Sequence, residues 1–330
     1  MIASVSFRNF KALRSTQLKL LPFNLVIGPN GSGKTSLIQA VMRLRTLSRL
    51  PLTDAAAQTT KPHGPEIVFG FNAPYAALAA RLACVSENVC DLLEVTPAGA
   101  TAWPALQGQL GRMRSYLLDH YAIPAPAERT DRAELAANGG NLAAVLSHWQ
   151  LRRPDIFAQL EAELVRILPE FGGIEMIPRH DGVAELGLRL KDGSETVAAE
   201  NLSQGTLYTL AMMALAFDPS PPTVVCIEEI DRGIHPRMLR EVRDLLYRLS
   251  YPEAFGLKRP PVQVIVTTHS PYLLDLFREH PEEIVISHKR GNAAHFERLA
   301  DRQDLDELLA EGTLGDMWFS GILGGVPEEP

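Results

Sequence analysis

Apolar positions along the chain fall into three stretches of different rhythm. Residues 24–27, Asn-Leu-Val-Ile, form a short buried-strand pattern that breaks at a glycine-rich turn. Beyond the turn, Leu37, Ile38, Val41, Met42 and Leu44 recur at the spacing of one helix face. Residues 1–48 therefore predict strands, a turn and a helix. Residues 49–196 are less regular. Pro51, Pro62, Pro65 and Pro74 predict loops and strands, with a short alanine run at 55–57. Apolar periodicity then predicts helices over 133–149 and 155–168. Prolines at 104, 124, 126, 154, 169 and 178 punctuate this region. Each costs roughly 3 kcal/mol inside a helix, which argues against a long coiled-coil arm. Val183, Leu186, Leu188 and Leu190, separated by Glu185, Gly187 and Arg189, predict a strand over 183–190, and Lys191-Asp192-Gly193 a turn.

From residue 197 the pattern is α/β again. Residues 223–227 and 262–268 read as buried strands, and 284–287 as another. Residues 236–249 read as a helix with Leu239, Val242, Leu245, Leu246 and Leu249 on one face. Ser270 stands where a helix N-cap is expected.

Composition adds limits. With 46% hydrophobic and 22% charged residues in 330, the chain can bury a sizeable core. No run approaches 18 apolar residues and the N-terminus lacks the apolar core of a signal peptide, so no membrane span is expected. A net charge of -7 argues against a surface that coats nucleic acid, though not against a local basic groove. Cys84, Cys90 and Cys226 have no metal-ligand spacing and cannot all pair, so reduced thiols and a cytoplasmic setting are expected.

Four clusters carry candidate chemistry. Gly28-Pro29-Asn30-Gly31-Ser32-Gly33-Lys34-Thr35 has the Gly-x-x-x-x-Gly-Lys-Thr spacing of a phosphate-binding loop, between a strand and a helix. Its glycines let backbone N–H groups from Asn30, Gly31, Ser32 and Gly33 turn toward an anion, and the helix N-terminus favours that charge. Lys34 would then reach the β- and γ-phosphates of a nucleotide, the Thr35 hydroxyl would ligate Mg²⁺, and Ser36 would add a phosphate contact. Glu228 and Glu229 end the strand at 223–227, and two adjacent carboxylates at a strand tip are costly unless a cation or a reaction uses them. Glu228 is assigned to the Mg²⁺ shell and Glu229 to the general base. Asn201-Leu202-Ser203-Gln204-Gly205-Thr206 opens an apolar helix, with Ser203 as a cap candidate and Gly205 allowing close backbone approach, and such a helix start is an anion site. His269, after the strand at 262–268, is placed to bond a γ-phosphate. Taken singly, the last two clusters also fit an ordinary helix cap and a structural histidine.

In this order the residues resemble the ABC-type ATPase heads of the RecF, SMC, Rad50 and OLD group, above all its small stand-alone AAA-family members. The resemblance reads 28–35 as Walker A, 202–206 as the signature, 224–229 as Walker B, Asp231 as the D-loop and His269 as the H-loop. Phe7-Arg8-Asn9-Phe10-Lys11-Ala12-Leu13, Asn138-Gly139-Gly140-Asn141-Leu142 and the segment from Trp318 to Gly325 also look like that group. The signature departs from the transporter pattern, and Glu228 replaces the commoner aspartate. Only 60 residues follow Ser270, too few for the TOPRIM nuclease domain of OLD proteins.

The expectation is one discontinuous P-loop NTPase domain of the ABC head type. It has an α/β core from 1–72 and 218–330, and an inserted, largely helical lobe over 73–217 that ends in the signature. The resemblance implies two heads closing face to face on two ATP molecules, with Ser203 and Gly205 of one subunit on the γ-phosphate held by the other. The implied work is DNA repair or anti-phage defence, or the gating of a separate effector protein. Arg43, Arg45, Arg49, Arg152, Arg153, Arg237, Arg240 and Arg243 are candidates for a DNA face. A transporter subunit fits the signature poorly, and a GTPase lacks an Asn-Lys-x-Asp motif.

Overall fold

Alternating burial shapes the N-terminal strands. In β1 (Ile2–Phe10) Ile2, Val5, Phe7 and Phe10 face the core, and β1 pairs antiparallel with β2 (Leu13–Lys19). By contrast β3 (Phe23–Ile27) is buried throughout, as a strand covered on both faces must be. These elements belong to a computed structural model, which describes residues 1–50, 64–128, 134–179 and 182–324. The expectations for Pro51, Pro62, the 55–57 alanines and Gly325 lie outside the described residues.

The chain divides into two units. The first comprises 1–115, 222–230 and 261–330. Besides β1–β3 it holds α1 (Lys34–Ser48), β4 (Glu66–Phe71), β5 (Ala79–Ser86), β6 (Val89–Thr96), α2 (Trp103–Leu110) and the start of β7 (Arg114–Tyr116). It continues with β12 (Val224–Ile227), β13 (Gln263–Thr268), α7 (Pro271–Asp275), β14 (Ile284–Arg290), β15 (Ala293–Arg298), α8 (Leu305–Glu311) and α9 (Leu314–Phe319). Its sheet runs β6-β5-β4-β1-β2-β15-β14-β3-β13-β12-β7. β14, β3, β13 and β12 are mutually parallel, so their C-terminal ends share one edge. Gln263 ties the N-terminus to this core: its buried amide bonds both the N–H and the carbonyl of Ile2 and the carbonyl of Leu21. Each such bond contributes about 1 kcal/mol net.

The second unit comprises 116–221 and 231–260. It holds β8 (Ala127–Glu128), α3 (Leu142–Arg152), α4 (Pro154–Ile167), β9 (Phe171–Pro178), β10 (Val183–Leu190), β11 (Thr196–Ala198), α5 (Gln204–Phe217) and α6 (Leu239–Ser250). α5 packs on α3, α4 and α6, and every residue from Leu207 to Phe217 is buried. These divisions fall elsewhere than at 72/73 and 217/218. Residues 73–115 stay with the first unit because β5 and β6 extend its sheet, and 231–260 joins the second because α6 packs on α5.

Local differences have local causes. The helix expected from 133 starts at Leu142, because Asn138-Gly139-Gly140 forms a turn that the Asn141 side chain braces through Ala136 N–H and the Glu134 carbonyl. A 3₁₀ turn over Pro236–Met238 precedes α6. Ser270 makes no side-chain cap; its N–H donates instead to Thr268 Oγ1. The expectation of reduced thiols is corrected at one pair: the β5–β6 register sets Cys84 opposite Cys90, and they form a disulfide. Cys226 stays a free thiol, its pKa pushed up by complete burial and then by Glu228. Among the described residues no helix is long and apolar enough to cross a membrane.

Candidate functional site

The parallel register brings three strand tips together. Ile27 of β3 pairs with Thr268 of β13, and Ile227 of β12 pairs with Val266. The glycine-rich loop, the two glutamates and His269, each just past one of these tips, therefore meet at one edge. In open α/β sheets this edge is where ligands bind. A cavity of about 220 Å³ lies there. It is lined by Asn30, Gly31, Ser32, Gly33, Lys34, Thr35 and Ser36 from the loop and α1, by Glu228 and Glu229, and by His269.

Within the loop Gly33 has φ +99°, a conformation that side chains strain to adopt, and a Cβ there would strike Leu13. Thus the glycine is required by both backbone and packing. Lys34 is folded back and donates to the carbonyls of Gly28 at 2.7 Å and Pro29 at 3.0 Å. Burial lowers the Lys34 pKa to about 8, partly opposed by the Glu229 carboxylate. The Ser32 hydroxyl is buried with no hydrogen-bond partner among the described residues. Thr35 Oγ1 donates to Glu228 Oε2 at 2.8 Å. These two oxygens come from positions 193 apart and form a hard, all-oxygen pair that suits Mg²⁺. Glu228 is half-buried, whereas Glu229 and His269 are exposed.

If Lys34 holds a nucleotide phosphate, as the loop spacing leads us to expect, binding would use its ammonium form, and the bound phosphate would raise its pKa above the free value of about 8. Nucleotide affinity should hold steady below about pH 7.5 and weaken by up to about tenfold per pH unit above pH 8. Titration calorimetry with a nonhydrolysable ATP analogue between pH 6.5 and 9.5 measures it; a flat profile to pH 9.5 refutes the lowered pKa.

Ser203 and Gly205 lie in the second unit, and the cavity lining comes entirely from the first. Ser203 caps α5: the Thr206 N–H donates to its Oγ at 3.2 Å, and the two hydroxyls lie 2.8 Å apart. A Cβ on Gly205 would sit 3.0 Å from the Gly233 carbonyl oxygen, so what comes close to this glycine within the chain is a backbone carbonyl. Asp231 also falls in the second unit.

Three lining residues escaped sequence reasoning: Lys11, Ala12 and Thr267. Lys11 and Ala12 form the β1–β2 turn, within a segment that carried a resemblance but no assigned chemistry. Thr267 stands two residues before His269 and looked like ordinary strand. Several of the arginines proposed for a DNA face are engaged locally. Arg43 donates to the Cys90 carbonyl, Arg49 to that of Gly111, Arg153 to Asp155 and Arg243 to Asp244.

Comparison with known proteins bears on the family and the fold. A family model described as "AAA domain, putative AbiEii toxin, Type IV TA system" matches residues 111–275, half of the chain. One described as "AAA ATPase domain" matches residues 1–66. No curated protein matches the sequence. Similar solved structures include an SMC head bound to the C-winged helix domain of ScpA, with TM-score 0.63 and 15% identity, covering 90% of this chain and 96% of that one. The SMC head domain from Thermotoga maritima has TM-score 0.53 and 13% identity, covering 90% and 98%. A third, an Smc head with an extended coiled coil bound to the C-terminal domain of ScpA derived from Pyrococcus furiosus, has TM-score 0.56 and 12% identity, covering 94% and 99%. At such identities the likeness is one of fold.

Proposed function

The chain belongs to this AAA-domain family, among the ABC-type ATPases of the RecF, SMC and Rad50 group, and we propose that it hydrolyses Mg·ATP to drive an ATP-sandwiched dimer switch. The observation that carries this reading is the Thr35–Glu228 contact beside Lys34, Glu229 and His269 in one cavity. Walker A amides and Lys34 hold the β- and γ-phosphates. Mg²⁺ held by Thr35 and Glu228 would neutralise charge developing on those phosphates. Glu229 orients the attacking water and takes its proton, and His269 hydrogen-bonds the γ-phosphate. Ser203 and Gly205 of a second copy complete the phosphate clamp through the N-terminus of α5. The closed state is favoured only while a γ-phosphate is present, so hydrolysis reopens it.

The first test is phosphate release from ATP by the wild-type protein, with Mg²⁺ and with excess chelator. Multiple turnovers that stop on chelation support the reading; tight ATP binding with no phosphate released under either condition sinks it. As to what the switch acts on, the local partners of Arg43, Arg49, Arg153 and Arg243 favour a separate effector protein over a DNA face. The SMC heads bound to ScpA show this fold holding a protein partner. ATPase stimulation by duplex DNA that fades steeply between 50 and 200 mM salt (roughly the range in which phosphate contacts are lost) would restore the DNA-linked alternative.

A further inference from the structure

Glu229 has φ +52°, in the left-handed region that a residue with a Cβ occupies only under constraint. The constraint comes from one residue of the neighbouring strand. The Glu229 N–H donates to Thr267 Oγ1 at 3.0 Å. The next amide, of Ile230, donates to the Thr267 carbonyl, also at 3.0 Å. Both peptide N–H groups flanking the Glu229 carbonyl carbon and Cα are thus anchored to a single threonine, itself 3% exposed. Thr267 can do this because β13 lies between β3 and β12 in the sheet, and Thr267 stands one residue beyond the Val266–Ile227 pair.

From this geometry we infer that Thr267 is a positioning residue for ATP hydrolysis: its hydroxyl and carbonyl hold Glu229 in the left-handed conformation that presents the carboxylate to the cavity. The inference rests on the ATPase reading above and extends it to a residue with no charge and no assigned chemistry. A β-branched residue suits a buried strand, and valine would fill the same space. Only the hydroxyl of threonine adds an acceptor for an amide that lies beyond the end of β12. Its neighbour works the same way on the other side: Thr268 Oγ1 accepts from Ser270 N–H at 2.9 Å, so His269 is held between two braced positions.

Three variants test it, Thr267→Val, Thr267→Ser and Glu229→Gln, each measured for kcat and for affinity toward a nonhydrolysable ATP analogue. Loss of the acceptor in Thr267→Val frees the Glu229 backbone and should lower kcat by about 10- to 100-fold, with affinity within about twofold of wild type. Thr267→Ser keeps the acceptor and should recover kcat to within about threefold. A purely structural role would reduce affinity and kcat together and would not separate Ser from Val. The inference is overturned if Thr267→Val keeps wild-type kcat while Glu229→Gln is inactive, or if Thr267→Ser is as impaired as Thr267→Val. If the valine variant does not fold, Thr267→Ala replaces it against Thr267→Ser with the same expectation. Undiminished turnover in Glu229→Gln is a different failure, because it removes the base assignment on which the inference stands.

Discussion

Glu229→Gln should lower steady-state ATP turnover by about 10²- to 10⁴-fold, the range expected when a general base is lost. Nucleotide affinity should change little, because Glu229 is exposed at the cavity wall and binds no phosphate in this scheme. The glutamine keeps the size and the hydrogen-bonding capacity of the side chain but takes up no proton. Bound ATP should therefore persist, and light scattering should show the mass of the variant doubling when Mg·ATP is added. A doubled mass with ATP and a single-chain mass with ADP would establish the dimer switch. If ATP binds but the mass stays that of one chain, a different partner must supply the second clamp. Wild-type turnover in the variant would exclude Glu229 as the base.

Lys34→Ala should act at the earlier step. Removing a charge-assisted phosphate contact costs about 2–3 kcal/mol, or about 10²-fold in affinity for ATP. Thermal unfolding without nucleotide should shift little. Alanine favours helix at the start of α1, and the Gly28 and Pro29 carbonyls that Lys34 now satisfies open onto a cavity that water can enter. The two variants thus separate by readout: Lys34→Ala loses binding and with it ATP-dependent protection against heat, whereas Glu229→Gln keeps binding and loses turnover. Unchanged ATP affinity in Lys34→Ala would mean that the cavity at the strand tips is not the nucleotide site.

Much of the site was legible because its chemistry is written in contiguous residues. A phosphate loop depends on local backbone conformation, and Gly31 and Gly33 at φ +72° and +99° adopt what glycine alone adopts freely. Strands β3, β12 and β13 were visible as short apolar runs, and each ended next to its candidate side chain. The weaker elements were not visible. β15 reads Ala-Ala-His-Phe-Glu-Arg, too polar to announce a strand, yet it pairs with β14 along six positions. β9 begins with Phe171-Gly172-Gly173, whose glycines suggest a loop, and is held in place by its pairing with β10.

The sequence by itself determined the class of chemistry: a phosphate loop, a pair of carboxylates, a histidine and a capped helix, each a local pattern with a local physical cause. Tertiary structure decided which of them meet. Sheet order and parallel register bring Thr35 to Glu228 across 193 positions and Glu229 to Thr267 across 38. They also place Lys11 in the cavity and Cys84 against Cys90. A strand's own sequence states that it is buried but not which strand it will lie beside, because pairing partners are selected by the packing of the whole sheet.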